Sequence, residues 1–227
     1  MMEEEFPGRR KAIVVNCCRA LTSLFLCWLL PGQEASANTD DLSSEERAVP
    51  AFEAIQVNGA MSVSFTVAPH RMVRVIAPAA VLSQIRTAVE NGRLILETEG
   101  SLRLPQPIRI EATGPSLDSI SIAGSGDVKV NGLAGKTLQL DIAGSGNIVA
   151  HGAVEHSRIH VAGSGNVDGS VLRTSELEVQ LSGSGDIRAY ATRSARVAMT
   201  GSGNIVIAGN PARRDVNRVG SGSVQFN

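Results

Sequence analysis

Cysteine is missing from most of this chain. The 227-residue sequence contains three cysteines, Cys17, Cys18 and Cys27, and none after them. The rest of the chain therefore has no disulfide and no thiol chemistry. A chain without disulfides needs another source of rigidity, and a long hydrogen-bonded stack of strands can supply it.

Net charge and aromatic side chains are also scarce. The 21 Lys and Arg residues nearly balance the 22 Asp and Glu residues, and aromatic residues make up 3% of the chain. Balanced charge leaves no basic footprint for nucleic acid, so we predict no nucleic-acid partner. Aromatic side chains on which sugar rings could stack are few after residue 37, namely Phe52, Phe65, Tyr190 and Phe226.

The apolar run near the N-terminus is typical of an export signal. A basic segment precedes the apolar stretch 20–30, and Ala35-Ser36-Ala37 fits an A-x-A cleavage site. We predict that residues 1–37 are a signal peptide. The alternative is a retained membrane anchor, but Arg19 and Pro31 leave the apolar run well short of the roughly 20 residues that a spanning helix needs.

Two further interpretations of this segment are less favoured. A lipid anchor on Cys27 would need a small preceding residue, where the sequence has the bulky Leu26. The pair Arg9-Arg10 lacks the Ser that usually precedes it in signals that export folded proteins. We therefore expect no stable membrane span after cleavage, and a location in the bacterial periplasm, outside the cell or at its surface.

The tripeptide Gly-Ser-Gly recurs six times in the second half of the chain. Successive copies start 20, 19, 20, 18 and 19 residues apart, and Asp or Asn directly follows five of them. A fixed period near 19 residues is typical of a solenoid. The copies begin at Gly124, Gly144, Gly163, Gly183, Gly201 and Gly220.

Apolar and polar residues alternate on both sides of each tripeptide. In the third copy, Ile159 and Val161 precede it with His160 between them, and Val167 follows it. A period of two predicts strand, turn and strand, with the glycines supplying positive φ at the turn. We predict an all-β parallel β-solenoid, right-handed by the usual chirality of parallel crossovers. Arg218 replaces an apolar residue in the last copy and should mark the final rung.

The chain before the repeats is strand-like but does not follow their period. We predict that residues 49–113 cap the first rung and that residues 114–227 form the repeats. Apolar residues recur at helical spacing in residues 79–89, which predicts one short helix there. The polar, acidic residues 38–48 are predicted to be a disordered lead-in.

These segments together carry a resemblance to a known family. The repeats AGSGDV, AGSGNI, AGSGNV, SGSGDI and TGSGNI, the opening FEAIQVNGAMSVSFTV and the stretch RVIAPAAVLSQIRTAVENGRLILET resemble the putative auto-transporter adhesin head GIN domain family of bacterial envelope proteins. The resemblance covers residues 49–227. It implies a secreted or cell-surface β-helical domain with an adhesive role and no established catalytic residues.

The residues that follow the tripeptides are the candidate binding residues. Stacked in register they would form a ladder, in which each side chain caps its turn or bonds to the next. This structural role is our first interpretation, and contact with carbohydrate is the second. Too few of the residues are acidic for a tight Ca²⁺ cage, so we predict no metal site. The ladder consists of Asp127, Asn147, Asn166, Asp186 and Asn204.

A second outward column precedes the tripeptides. Its members Arg158, Glu178, Arg196 and Asp215 alternate in sign on successive rungs. We expect them to form a solvated ladder of ion pairs that stabilises the register.

No catalytic constellation can be assembled from the sequence. Enzymes that cleave polysaccharides need paired carboxylates or a metal and a base in one cleft. Five acids spread along the repeats share no column that can be assembled into a site, and the three neighbouring histidines lack a fourth zinc ligand other than Glu155. We predict no enzyme and no cofactor. The acids are Asp141, Asp168, Glu176, Glu178 and Asp186, and the histidines are His151, His156 and His160.

The functional prediction is non-catalytic adhesion or surface recognition. The partner would be a polysaccharide or a surface protein of unknown identity, bound by many weak polar contacts repeated at the rung spacing. The alternative is a structural scaffold of the envelope. A polysaccharide-degrading enzyme is less favoured.

Overall fold

The computed structural model describes residues 42–100 and 107–227, which fold as a β-solenoid of about 5 turns. The predicted signal peptide and residues 38–41 lie outside this part. The described elements are β1 Leu42–Arg47, β2 Ala54–Gly59, β3 Met61–Val67, β4 Met72–Pro78, a 3-10 helix Ala79–Gln84, β5 Ile85–Glu90, β6 Arg93–Thr98, β7 Ile108–Gly114, β8 Ser119–Gly124, β9 Asp127–Gly144, β10 Asn147–Gly163, β11 Asn166–Asp168, β12 Leu172–Gly183, β13 Asp186–Tyr190, β14 Ser194–Gly201, β15 Asn204–Ala208, β16 Arg213–Val219 and β17 Ser223–Phe226.

Two stacks of parallel strands build the repeats. The first stack consists of β2 and of the segments that precede the six tripeptides: β8, the end of β9, the end of β10, β12, β14 and β16. The second consists of β3 and of the segments that follow the tripeptides: the start of β9, the start of β10, β11, β13, β15 and β17. Gly163 pairs with Gly144 on one side and Gly183 on the other, so like residues stack on like. The predicted parallel solenoid is confirmed.

The interior is formed by the apolar columns that the sequence indicates. Leu140, Ile159 and Val179 lie four residues before successive tripeptides, and each is at most 1% exposed. Val216 occupies the same column in β16 but is 43% exposed. It is exposed because, in the described part of the chain, no strand stacks on the far side of β16.

Both glycines of each tripeptide lie close to the neighbouring rung, and the first also has an unusual backbone conformation. The first glycine has positive φ, as at Gly183 with φ +141°, where an L side chain would be strained. The last glycine is needed because the neighbouring rung lies too close. A Cβ on Gly165 would sit 2.5 Å from the carbonyl oxygen of Gly146.

The helix predicted at residues 79–89 is wrong beyond its first half. A 3-10 helix ends at Gln84, and β5 then runs antiparallel to β6. Asn91 and Gly92, with φ of 51° and 75°, form the turn between the two strands. An Asn-Gly pair with both φ values positive is typical of a β-hairpin, and the pairing of β5 with β6 overrides the helical spacing.

The disordered lead-in predicted at residues 38–48 is wrong over β1, since this strand pairs antiparallel with β4. Arg47 secures it: its guanidinium donates to the backbone carbonyls of Leu82, at 2.7 Å, and Ile85. The side chain of Arg47 is 16% exposed. Polar composition therefore misled the prediction, because the strand is held by backbone pairing and one arginine and buries little apolar surface.

Further strands extend both stacks at the N-terminal end. In the second stack, β7 pairs parallel with β3, and β4 and then β1 follow with antiparallel pairing. In the first stack, β6 pairs parallel with β2, and β5 follows with antiparallel pairing. None of the helical structure in the described ranges is long and apolar enough to cross a membrane.

Candidate binding groove

A shallow groove runs along the outer surface of the first stack. Its volume is about 960 Å³, and its lining extends from Asp118, before β8, to Asp215 on β16. Two columns of outward side chains dominate it. The first column is Thr137, His156, Glu176, Ser194 and Arg213, and the second is Ser119, Gln139, Arg158, Glu178, Arg196 and Asp215.

Ion pairs join successive rungs in the second column, as the alternating charges predict. Arg158 donates to Glu178 Oε2 from Nε at 3.1 Å and from Nη2 at 3.0 Å. Arg196 Nε lies 3.2 Å from Asp215 Oδ2. Exposed pairs of this kind contribute only about 0.2–1 kcal/mol each. They favour the correct register, and their charges stay accessible to a ligand.

The first column contains a carboxylate, Glu176, that hydrogen bonds from Arg193 and His156 favour in its ionised form. His156 Nδ1 lies 2.9 Å from Glu176 Oε2, and Arg193 donates to Glu176 Oε1. The hydrogen bond from Arg193 is the main cause of the lowered pKa of Glu176, and the charges of Arg193 and His156 lower it further. Arg213, beyond Ser194 in the same column, has no carboxylate partner among the described residues.

Glu176 and Glu178 both face the groove from β12, a placement that sequence reasoning did not recognise. Two carboxylates on one surface could suggest glycoside hydrolysis, which needs one of them to be a protonated acid. A general acid requires a raised pKa, whereas the pKa of Glu176 is lowered. Glu178 is bound to Arg158. The lowered pKa of Glu176 therefore does not favour the acid role for this residue.

The Asp/Asn ladder lies at the corner after the tripeptides, and none of its members lines the groove. Its members bond to one another from rung to rung, as expected of stacked amides. Its use as a binding strip stays a prediction. The bonds run from Asn147 Nδ2 to Asp127 Oδ1 (2.7 Å), Asn166 Nδ2 to Asn147 Oδ1 (2.9 Å), the Asp186 amide to Asn166 Oδ1 (2.9 Å), Asn204 Nδ2 to Asp186 Oδ1 (3.1 Å) and Ser223 Oγ to Asn204 Oδ1 (2.9 Å).

The three histidines do not form a common site. His156 is paired with Glu176, as described above, while His151 lies near Asp168 on the opposite side of the repeat. The pKa of Asp168 is lowered mainly by the hydroxyl of Ser170, which donates to Oδ1 at 2.6 Å. Within residues 42–100 and 107–227, no three His, Cys, Asp or Glu side chains are placed to hold a metal ion.

The groove was not predicted from the sequence, although a usable pattern was present. The residue seven positions before the tripeptide is polar in every repeat from Thr137 onward. The residue five positions before the tripeptide belongs to the second column, which contains the ion pairs. Two adjacent outward columns of long polar side chains on one stack of strands create a trough between them. Sequence reasoning treated the columns singly and therefore found no surface.

Comparisons with known proteins agree with the observed fold. The family described as "Putative auto-transporter adhesin, head GIN domain" matches residues 51–211. No curated protein matches the chain.

Several solved structures have the same fold. A putative adhesin from Bacteroides fragilis is 23% identical with a TM-score of 0.67, covering 83% of this chain and 98% of its own. A putative adhesin from Parabacteroides distasonis is 18% identical with a TM-score of 0.51, covering 83% and 98%. A putative lipid binding protein from the same species is 20% identical with a TM-score of 0.51, covering 83% and 97%. At these identities, the likeness establishes the fold alone.

Proposed function

The chain belongs to the auto-transporter adhesin head GIN domain family, and we propose that it is an exported, non-catalytic adhesion module that holds its partner along the groove. The observation that carries this proposal is the groove itself. It runs across successive rungs, so the same kinds of polar group recur about every 4.8 Å.

A repeating partner suits this geometry. Each contact with an exposed polar side chain is weak, but contacts held on one rigid scaffold add to a higher avidity. A polysaccharide presents hydroxyl and acidic groups at regular intervals and can lie in a shallow trough. The groove offers no deep apolar pocket of the kind that anchors a protein partner's aromatic side chain.

Non-catalytic action is supported by the lowered pKa of Glu176 and by the ion pair at Glu178. Action outside the cytoplasm is supported by the family and by the sequence of residues 1–37. The scaffold alternative has support of its own, because the hydrogen-bonded ladder at the corner stabilises the stack without any ligand.

The test is retention of the protein on immobilised envelope and host polysaccharides, with newly released sugar ends measured in the same samples. The groove variant is Ser194→Trp, which places a large side chain among the lining residues. The matched control is Ala198→Trp on the same strand and the same outward face, outside the lining. We expect the unsubstituted protein to be retained. Ser194→Trp should lower this retention at least fivefold, and Ala198→Trp should leave it unchanged.

Equal retention of both variants would show that the groove is not the adhesive surface. Release of sugar ends would show that the protein is an enzyme. Absence of retention on every polysaccharide would favour the scaffold.

A further inference from the structure

Charge is distributed unevenly along the solenoid. Residues 187–227 contain six arginines and one acid, Asp215, so this segment carries 6 − 1 = +5 charges, while the whole chain carries −1. The segment forms the last rungs of both stacks. The arginines are Arg188, Arg193, Arg196, Arg213, Arg214 and Arg218.

Most of these arginines already have partners. Arg193 is bound to Glu176 and Arg196 to Asp215. Arg214 lies over the ring of Phe226, 4.6 Å from its centroid, and Arg218 donates to the carbonyl of Gly222. The last two cover the end of the interior, in columns whose residues are buried in the earlier rungs.

Arg213 differs from these residues because its guanidinium makes neither an ion pair nor a hydrogen bond in the described part of the chain. It is exposed and lines the groove one rung beyond Ser194, whose hydroxyl lies in the same column. Arg196 lines the same end, and its bond to Asp215 is an exposed single contact of 3.2 Å that an incoming anion can replace. One free and one exchangeable guanidinium therefore flank a hydroxyl at the C-terminal end of the groove.

We propose that this end of the groove, formed by Arg213, Arg196 and Ser194, is a subsite for the carboxylate or sulfate groups of an acidic polysaccharide. The inference rests on the proposed function and names the class of its ligand. Guanidinium groups bind planar and tetrahedral oxyanions with paired N–H donors. The earlier rungs, where each cation is paired with a carboxylate, would contact the neutral parts of the same polymer through hydroxyl groups.

An elongated polyanion fits better than an anionic membrane. The basic end continues into a polar groove that spans the repeats, which suits a chain lying along the axis. A flat lipid surface would instead call for a broad basic face with apolar side chains at its centre.

The experiment measures the affinity of the full chain for polygalacturonate, its methyl ester, dextran sulfate and dextran at several salt concentrations. We expect tighter binding of at least one acidic polymer than of its neutral counterpart, with affinity falling as salt rises. Whether polygalacturonate or dextran sulfate binds more tightly distinguishes carboxylate from sulfate. Arg213→Gln should weaken binding of the preferred polymer about 3- to 10-fold, as for loss of one exposed charge-assisted contact.

Arg188→Gln is the matched control, because it removes the same charge from an earlier rung of the second stack, outside the groove lining. It should weaken binding less than twofold. Equal losses in the two variants would show general attraction to a basic end and would overturn the subsite. A third outcome is that neutral and acidic polymers bind with equal affinity and that Ser194→Trp still weakens this binding. It would show that the ligand need not be acidic, and it would leave the proposed function in place. Binding of none of the polymers would overturn the subsite, and polysaccharide retention in the adhesion assay decides separately whether the proposed function stands.

Discussion

Substitution of Gly165 by Ala tests whether close contact between rungs, and not turn conformation, makes the last glycine of the tripeptide necessary. The added Cβ would lie 2.5 Å from the carbonyl oxygen of Gly146 and 2.6 Å from Cγ2 of Ile142. Normal contacts of a Cβ are longer than 3.0 Å, so both neighbours would have to move. The carbonyl of Gly146 also accepts a hydrogen bond of 3.1 Å from the amide of Asn166, and this bond would be strained or lost.

The expected destabilisation follows from these two effects. Overpacking of a tight interior costs about 1–3 kcal/mol, and a lost backbone hydrogen bond costs about 1 kcal/mol. We therefore expect Gly165→Ala to lower the free energy of unfolding by about 2–4 kcal/mol. Urea denaturation followed by circular dichroism would measure the change.

Gly135→Ala is the control for this prediction. A Cβ at Gly135 meets nothing within 4 Å, and its φ is not positive. This substitution should leave stability unchanged or raise it by up to about 1 kcal/mol, because alanine restricts the unfolded chain. If the two variants unfolded at the same urea concentration, the close approach of the rungs would not be the reason for Gly165.

Three further predictions concern the interior and the groove. Ile142→Asp should unfold the domain, because it places a charge among side chains that are 1% exposed or less, whereas Gln180→Lys on the wet face should hardly change the melting temperature. Ser157→Ala should raise stability by about 1 kcal/mol in thermal or urea unfolding, because the Ser157 hydroxyl is buried without a hydrogen-bond partner. Arg193→Gln should raise the pKa of Glu176 toward its ordinary value of about 4.3 in an NMR titration. Because the pKa of Glu176 is lowered in the folded protein, its ionised carboxylate stabilises the fold at pH values above the ordinary pKa. This stabilisation is lost as the pH falls through the lowered pKa of the folded protein, and it should be smaller in Arg193→Gln.

The repeats could be predicted closely from the sequence because residues at the same position of successive repeats stack on one another and have the same surroundings. Ile159 alone says little, but an apolar residue at the same place in every repeat identifies a buried column. The segment before the repeats has no such redundancy. There, each strand depends on its own partners, and the pairing of β1 with β4 or of β5 with β6 leaves only a weak local pattern.

The groove was missed for a different physical reason. Its lining comes from outward residues, whose identities are constrained little by packing and vary from rung to rung. Glu176 and Glu178 are adjacent on the surface because both point outward from β12, and the bonds to Arg193 and Arg158 depend on side-chain positions. A sequence pattern identifies which residues face outward, but not which of them meet.

The ladder that stabilises the stack and the proposed binding residues lie on different surfaces, so the proposed binding can be tested by variants that leave the fold intact. At the corner, Asn166 donates to the rung on one side and accepts from the rung on the other, so its side chain is used by the fold. In the groove, Arg196 and Asp215 form a pair more than two-thirds exposed, and such pairs contribute little to stability. A ligand that replaces such contacts would cost the fold little. Arg213 has no carboxylate partner to lose among the described residues, so its variants should change the affinity for the ligand and leave the stability unchanged. Variants at Asn166 should lower the stability and leave the affinity unchanged.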